Sequence, residues 1–297
     1  MHTKQRNLFD ADVEDIRPQK TFKTQLLKWV GNKQKQADDI ISYFPNVYNT
    51  YFEPFLGSGG VLGTLRPQKA IASDIFPPLM DIWKTLNHNG DKLKKWYNDR
   101  YHMIKLIGKK ESYQKILNSY NAVPNGADLI FILRVCYGGV VRFRQKDGFM
   151  STPCGVHNPM PPENFSERVD IWHERTKNVK FILCDFEESI DKAQKGDLIY
   201  CDPPYVDSQS ILYGAQSFSF TRLLNKIKEC KDRGVFVALS IDGTKYSGKK
   251  CCDINIPNGI FEREIFINVG RSMLKRFQMD GKSLENHLVA DRLLLTY

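Results

Sequence analysis

The string Asp202-Pro203-Pro204-Tyr205 follows Asp197-Leu198-Ile199-Tyr200-Cys201, a hydrophobic run that reads as a strand. Two consecutive prolines hold the chain extended, remove two amide donors and leave their carbonyls free. The resulting corner presents one carboxylate, one proline carbonyl and one aromatic face at the carboxyl end of a strand. That set suits an exocyclic amine. Asp202 and the Pro203 carbonyl can each accept an N–H, drawing the nitrogen lone pair out of conjugation and towards an electrophile, while Tyr205 stacks on the ring. An exocyclic base amine inside a duplex cannot reach such a corner, so the base must be flipped out. The ordinary alternative is a Pro-Pro turn with Asp202 as a cap.

A second group lies upstream. Gly57-Ser58-Gly59-Gly60 sits between a strand-like stretch, Val47 to Phe52, and an apolar helical run. In a doubly wound sheet this turn lies at the carboxyl end of the first strand, where ligands bind and glycine lets backbone approach them. Asp74 ends the next short strand, Lys69 to Ser73, and is placed to accept hydrogen bonds from a ribose hydroxyl pair. The turn lacks the third glycine of a dinucleotide fingerprint, and no P-loop string occurs. Glu53, just before the turn, would repel a pyrophosphate and suits a cationic or amine-bearing ligand. S-adenosylmethionine carries both a sulfonium and an amino group.

The elements around these groups alternate. Ile40, Ile41 and Phe44 space a helix within Gln34 to Phe44 that Pro45 ends, and a helix runs from Pro77 to about Leu86. The chain is then helix-rich to about Tyr120, with Gly138-Gly139 and a Pro/Gly-rich loop from Pro153 to Pro162 beyond. Strand signals return at Val179–Cys184, Asp197–Cys201 and Val235–Ser240. Between the last two, Leu223, Leu224, Ile227 and Cys230 line one face of a helix that Gly234 stops. Glu264–Val269 and Leu288–Thr296 read as closing strands. The alternation predicts an α/β fold with a largely parallel sheet, interrupted by a small helical insertion.

Charge supports that division. The 297 residues carry a net +9. Residues 83–173 hold 14 basic against 8 acidic side chains, a net of +6, and the flanking regions are close to neutral. Arg142, Arg144 and Lys146 alternate there beside Tyr137, Phe143 and Phe149, a mixture able to contact phosphates and wedge against bases. A solvated basic surface is the plainer alternative. No apolar stretch reaches the length of a membrane span, and no secretory signal is visible. The seven cysteines are odd in number and form no C-x-x-C pair, which points to a reducing cytoplasm; Cys251-Cys252 read as thiols in a turn.

Three ordered motifs resemble those of the N6-adenine DNA methyltransferases of the deoxyadenosine-methylase type, class α. Leu27-Lys28-Trp29-Val30-Gly31-Asn32-Lys33 is similar to the family's N-terminal K-W-x-G-[GN]-K string. Phe52-Glu53-Pro54-Phe55-Leu56-Gly57-Ser58-Gly59 is similar to its F-x-G-x-G loop, and Asp202-Pro203-Pro204-Tyr205 to its catalytic motif. Val289 to Leu295 resembles its closing strand. The resemblance implies a Rossmann-like S-adenosylmethionine-dependent methyltransferase sheet with an inserted, mostly helical DNA-recognition domain. It implies a division into an arm (1–21), a catalytic domain (22–82 and 174–297) and an inserted target-recognition domain (83–173).

Carried over residue by residue, the resemblance implies that Trp29, Gly31, Lys33, Asp74 and Asp202 bind S-adenosylmethionine. Glu53, Pro54, Phe55, Gly57, Ser58 and Gly59 line its methionine end, and Asp185 and Phe186 recognise and stack its adenine. Asp185 also reads as a helix cap, with Glu188 three residues on as in a capping box. The catalytic set is Asp202, Pro203, Pro204 and Tyr205. Arg134 to Gly155 is similar to the family's recognition hairpin, which makes Tyr137, Arg142, Arg144 and Lys146 DNA contacts. Gly138 stands where GATC-specific members carry asparagine. The expected reaction is transfer of a methyl group to adenine N6 in double-stranded DNA, with no metal, in a restriction-modification setting with a cognate restriction endonuclease as partner. The same chemistry on cytosine N4, RNA or a protein amide is a second reading. A DNA-binding protein that lost catalysis is a third.

Overall fold

A computed structural model describes residues 22–144, 146–204, 218–245, 250–251, 256–270 and 289–297. The arm 1–21, Tyr205 and Cys252 lie outside the described residues. Strands β1 (Tyr51–Glu53), β2 (Ala70–Asp74), β3 (Val179–Leu183), β4 (Leu198–Cys201) and β5 (Phe236–Asp242) pair in parallel, in the order β3-β2-β1-β4-β5. A two-residue hairpin, β6 (Thr244–Lys245) with β7 (Lys250–Cys251), follows β5. The sheet is completed by β9 (Val289–Leu295), antiparallel to β5, and by the outer strand β8 (Arg263–Gly270). Because β9 runs against its neighbours, its first residues arrive at the carboxyl edge of the parallel strands.

The expected largely parallel α/β sheet is present, with two local differences. The strand expected from Val47 begins only at Tyr51, where pairing with Ala70 starts. The residues before it bond elsewhere: Asn49 N–H donates to the Gly196 carbonyl and Thr50 N–H to the Asp197 carboxylate, and Val47 is exposed. The helix expected over Gln34 to Phe44 is one short turn, α1 (Ala37–Ile41), closed by tight bonds into Tyr43 and Phe44.

Both faces of the sheet are covered. On one lie α8 (Phe186–Ile190) and α9 (Phe220–Asp232), whose Leu223, Leu224, Ile227 and Cys230 pack on Ile199, Val237 and Leu239. Gly234, at φ +74°, ends α9 with Val235 N–H donating to the Cys230 carbonyl and Gly234 N–H to that of Lys231, the left-handed helix stop expected from sequence. On the other face lie α2 (Gly60–Leu65), α3 (Pro77–His88) and α7 (Pro162–Thr176). Between α3 and α7 run α4 (Gly90–Ile107), α5 (Lys109–Ala122) and α6 (Gly126–Val135), the last holding an apolar stretch that is buried throughout.

The helical insertion shares its core with the sheet. Tyr97 and Leu129 to Leu133 belong to the same buried cluster as Tyr51, Leu198 and Leu295. Residues 82/83 and 173/174 fall inside α3 and α7. These two helices are joined by Trp83 and Trp172, buried indoles with centroids 5.4 Å apart. No helix among the described residues is long and apolar enough to cross a membrane.

Gly63 of α2 faces Trp172, and an added Cβ would stand 2.5 Å from the indole. Alanine in a helix interior ordinarily gains about 0.5–1 kcal/mol over glycine. Here the rigid ring is locked between Phe22 and Trp83, so overpacking decides the sign. Gly63→Ala is expected to lose about 1–3 kcal/mol, read from the urea midpoint at unchanged slope.

Candidate active site

The carboxyl ends of β1, β2 and β4 open into one cavity. Its walls include Trp29, Gly31, Lys33, Glu53, Pro54, Phe55, Gly57, Ser58, Asp74, Asp185, Phe186, Asp202, Pro203 and Pro204. The two groups singled out in the sequence therefore meet in one space. Val30, Leu56, Gly60, Val61, Ile75, Tyr200 and Phe218 complete the wall. Gly59 does not line it. At φ +63° it caps α2, and an added Cβ would press on Trp83 at 3.1 Å. Its role is helix entry and packing.

The glycine loop is held on three sides. Gly57 N–H donates to Asp74 (3.1 Å), the Gly57 carbonyl accepts from Trp83 Nε1 (3.0 Å), and its Cα faces Trp29, whose Nε1 would stand 2.9 Å from an added Cβ. Gly60 lies against the backbone of Gln34. The Trp29–Lys33 segment is thus seated on the loop by contacts only glycine permits. The other oxygen of Asp74 accepts from Phe76 N–H (3.1 Å), so one oxygen of Asp74 braces the glycine loop and the other fixes its own turn. Burial raises its carboxyl above the usual range, against the pull of these backbone donors.

Period-two alternation on β1 puts Tyr51 and Glu53 on one face. The Tyr51 hydroxyl donates to Glu53 at 2.6 Å. Burial pushes the Glu53 carboxyl up to about 8; the Tyr51 bond opposes this and the nearby Asp202 charge adds to it. On β4 the same alternation places Tyr200 behind Asp202, its hydroxyl sharing a hydrogen bond with Ser240 (2.9 Å). Lys33 Nζ lies 3.0 Å from Asp202 and 3.2 Å from Asp291 of β9. Burial alone would lower the lysine, but the two carboxylates outweigh it and push it up to about 12, so the ammonium stays charged.

At the opposite end, Asp185 caps α8 through Glu187 N–H (3.0 Å) and meets Arg222 of α9 at 3.3 Å. Glu188 does not close a capping box, because it pairs with Lys192. Phe186 stacks on Phe55 with centroids 5.2 Å apart, and Phe218 packs edge-on to both. Phe218, Tyr200 and Asp291 were not recognised in the sequence. Tyr200 could have been found from its spacing of two before Asp202. Nothing local marks the other two.

The electrostatic result is clear. Among the described wall residues four carboxylic side chains (Glu53, Asp74, Asp185 and Asp202) face one cation, Lys33, which is itself paired. An aromatic slot sits at one end and the proline corner at the other. The charge and shape of such a cavity suit a cationic ligand with a flat ring.

The basic stretch forms an irregular hairpin after α6. Across it the backbones of Cys136 and Cys154, both free thiols, and of Phe143 and Met150 pair antiparallel. Alternation turns Val141 and Phe143 inward and Arg142 and Arg144 outward; Lys146 is exposed at the tip and Tyr137 at the base. Arg144 forms a two-point ion pair with Asp147 (3.1 and 2.8 Å) and lies 4.2 Å over Phe149. The hairpin rests on the N-terminal segment that ends at Lys33: Val140 packs on Val30, and an added Cβ on Gly139 would meet Lys28 at 2.8 Å. Arg134 of α6 donates to the Gln25 and Leu26 carbonyls of the same segment.

Comparison with known proteins gives the same direction. The model of the D12 class N6 adenine-specific DNA methyltransferase family matches residues 29–264. The chain is 28% identical over 268 residues to the type II methyltransferase M1.LlaDCHI of Lactococcus lactis subsp. cremoris, covering 84% of this chain and 89% of that protein. It is 26% identical over 238 residues to a DNA adenine methylase of Vibrio cholerae, covering 74% and 82%. It is 30% identical over 199 residues to the type II methyltransferase M.MjaIII of Methanocaldococcus jannaschii, covering 60% and 68%.

Proposed function

The chain belongs to the D12 class N6 adenine-specific DNA methyltransferases, and from that premise we propose that it methylates adenine N6 in duplex DNA with S-adenosylmethionine as donor, after flipping the target base into the cavity. The observation that carries this reading is the convergence of the glycine loop and the Asp202-Pro203-Pro204 corner on one acidic cavity. The residues present fit the donor: the carboxylates suit its sulfonium and amino group, Phe186 with Phe55 suits its adenine, and Asp74 beside the loop suits its ribose. Bound there, the donor supplies an electrophilic methyl carbon whose C–S electron pair leaves with sulfur.

The protein's own part is positioning and electrostatics. Asp202 and the Pro203 carbonyl accept the two N6–H bonds and direct the lone pair into the cavity. As charge develops on N6, Asp202 stabilises it, and one N6 proton is released as the product forms. Lys33 holds Asp202 in place. Tyr205, outside the described residues, is the proposed stacking face. The helical region between β2 and β3 is the proposed target-recognition domain, carried on α3 and α7, and a restriction-modification setting with a cognate endonuclease is part of the same proposal. Tritiated methyl transfer to DNA from a methylation-free host, followed by sequencing of modified adenines, tests it; transfer to RNA or protein in place of DNA refutes it.

The hairpin gives a graded expectation for DNA. Arg142 is exposed, whereas Arg144 is already committed to Asp147 and Phe149. Arg142→Ala is expected to weaken duplex binding by about 5- to 100-fold and to relax discrimination between sites. Arg144→Ala is expected to cost less, acting through the shape of the tip. Fluorescence anisotropy over a salt series compares the two, and an equal loss from both counts against this assignment.

A further inference from the structure

Lys33 reaches two carboxylates at nearly equal distance, Asp202 at 3.0 Å and Asp291 at 3.2 Å. Asp291 is buried and is not part of the cavity wall. It comes from the second half of the sheet: β9 is antiparallel to β5, so Asp291, near its start, arrives opposite Asp242 at the end of β5, one strand beyond β4. A lysine with Asp202 as its only partner would form a neutral pair and hold the carboxylate's negative charge on itself. With Asp291 on its other side, the three groups carry a net charge of −1. The ammonium is then fixed by two points, and its charge is divided.

We propose that Asp291 is a positioning residue for methyl transfer, which acts through Lys33 to keep the Asp202 carboxylate oriented and available to the target amine. The inference rests on the reading of Asp202 as the amine's acceptor. Without the Asp291 charge, the pull on Lys33 shifts towards Asp202, turning it and weakening it as an acceptor while the cavity wall keeps its composition. The effect belongs on the chemical step and not on ground-state binding.

The test is single-turnover transfer of tritiated methyl from S-adenosylmethionine to methylation-free genomic DNA by the full chain, with active sites counted by bound S-adenosylmethionine. Asp291→Asn keeps size and removes charge. Its rate is expected to fall roughly 10- to 100-fold, with KM for both substrates within about twofold of the wild-type value, and Asp291→Glu is expected to recover much of it. In a Lys33→Met background, Asp291→Asn is expected to add less than about twofold, because the route between the two carboxylates is already cut. A wild-type rate in Asp291→Asn overturns the proposal. So does a loss that tracks only the number of active sites, or an effect that remains multiplicative in the Lys33→Met protein. If Lys33→Met does not fold, the Asn and Glu variants decide alone. An Asp202→Asn protein with full activity refutes the underlying reading instead, whereas an inactive Asp202→Asn beside a normal Asp291→Asn refutes this inference only.

Discussion

Asp202→Ala is expected to slow methyl transfer by roughly 10³-fold or more while duplex binding stays within a few-fold of wild type. The magnitude follows from removing a preorganised charge aimed at the atom where positive charge develops. Fold loss does not provide an alternative explanation. Breaking a buried ion pair usually costs about 3–5 kcal/mol because the other charge is stranded, but Lys33 keeps Asp291 at 3.2 Å. The stranded ammonium therefore retains a partner, and the variant is expected to fold. On the proposed assignment of the hairpin to DNA, duplex affinity is read separately, by anisotropy at fixed salt. Single-turnover transfer of labelled methyl gives the rate. Wild-type transfer by Asp202→Ala sinks the mechanism; joint loss of transfer and duplex binding shifts the role of Asp202 to structure.

S-adenosylmethionine binding is expected to release protons and to tighten as pH rises towards 8. Glu53 lies in the wall with a carboxyl pushed up to about 8, chiefly by burial. At neutral pH the empty site therefore holds it protonated. A cationic ligand favours the ionised form, so binding expels the proton, and affinity is expected to rise by up to about tenfold per pH unit below 8 and to level off above it. The sign for stability is the reverse. A carboxyl whose folded value is raised binds more protons folded than unfolded, so its contribution is full below the ordinary carboxylate range and is lost as pH rises through about 8. Calorimetry in buffers of different ionisation enthalpy counts the protons. The ligand's own amino group titrates nearby, so the comparison that decides is wild type against Glu53→Gln. An identical proton count in both proteins rules Glu53 out.

The parts of the site legible in sequence share one property: their geometry is made by neighbours in the chain. Pro203 and Pro204 fix a corner by their own rings, and Gly57 and Gly59 take left-handed backbone that other residues rarely adopt. The alternation on β1 and β4 follows from the pleat. The strand limit at Tyr51 was not legible, because Val47 to Thr50 have strand composition, and the bonds from Asn49 and Thr50 to the turn before β4 end the ladder. Glu188 illustrates the same point: its spacing fits a capping box, and Lys192 one turn on captures it.

The amino-acid sequence alone determined the α/β class, the order of the glycine loop, basic insertion and proline corner, and the identity of most wall residues. These follow from periodicity, from backbone restriction, and from motifs read in order. Only the tertiary structure decided that Lys33 bridges Asp202 and Asp291, that Phe218 joins Phe55 and Phe186, and that the helical insertion shares one core with the sheet. The physical reason is sheet topology. The reversed strand β9 carries Asp291 to the edge where the parallel strands end, and a contact of that kind depends on which strands are neighbours and in which direction they run.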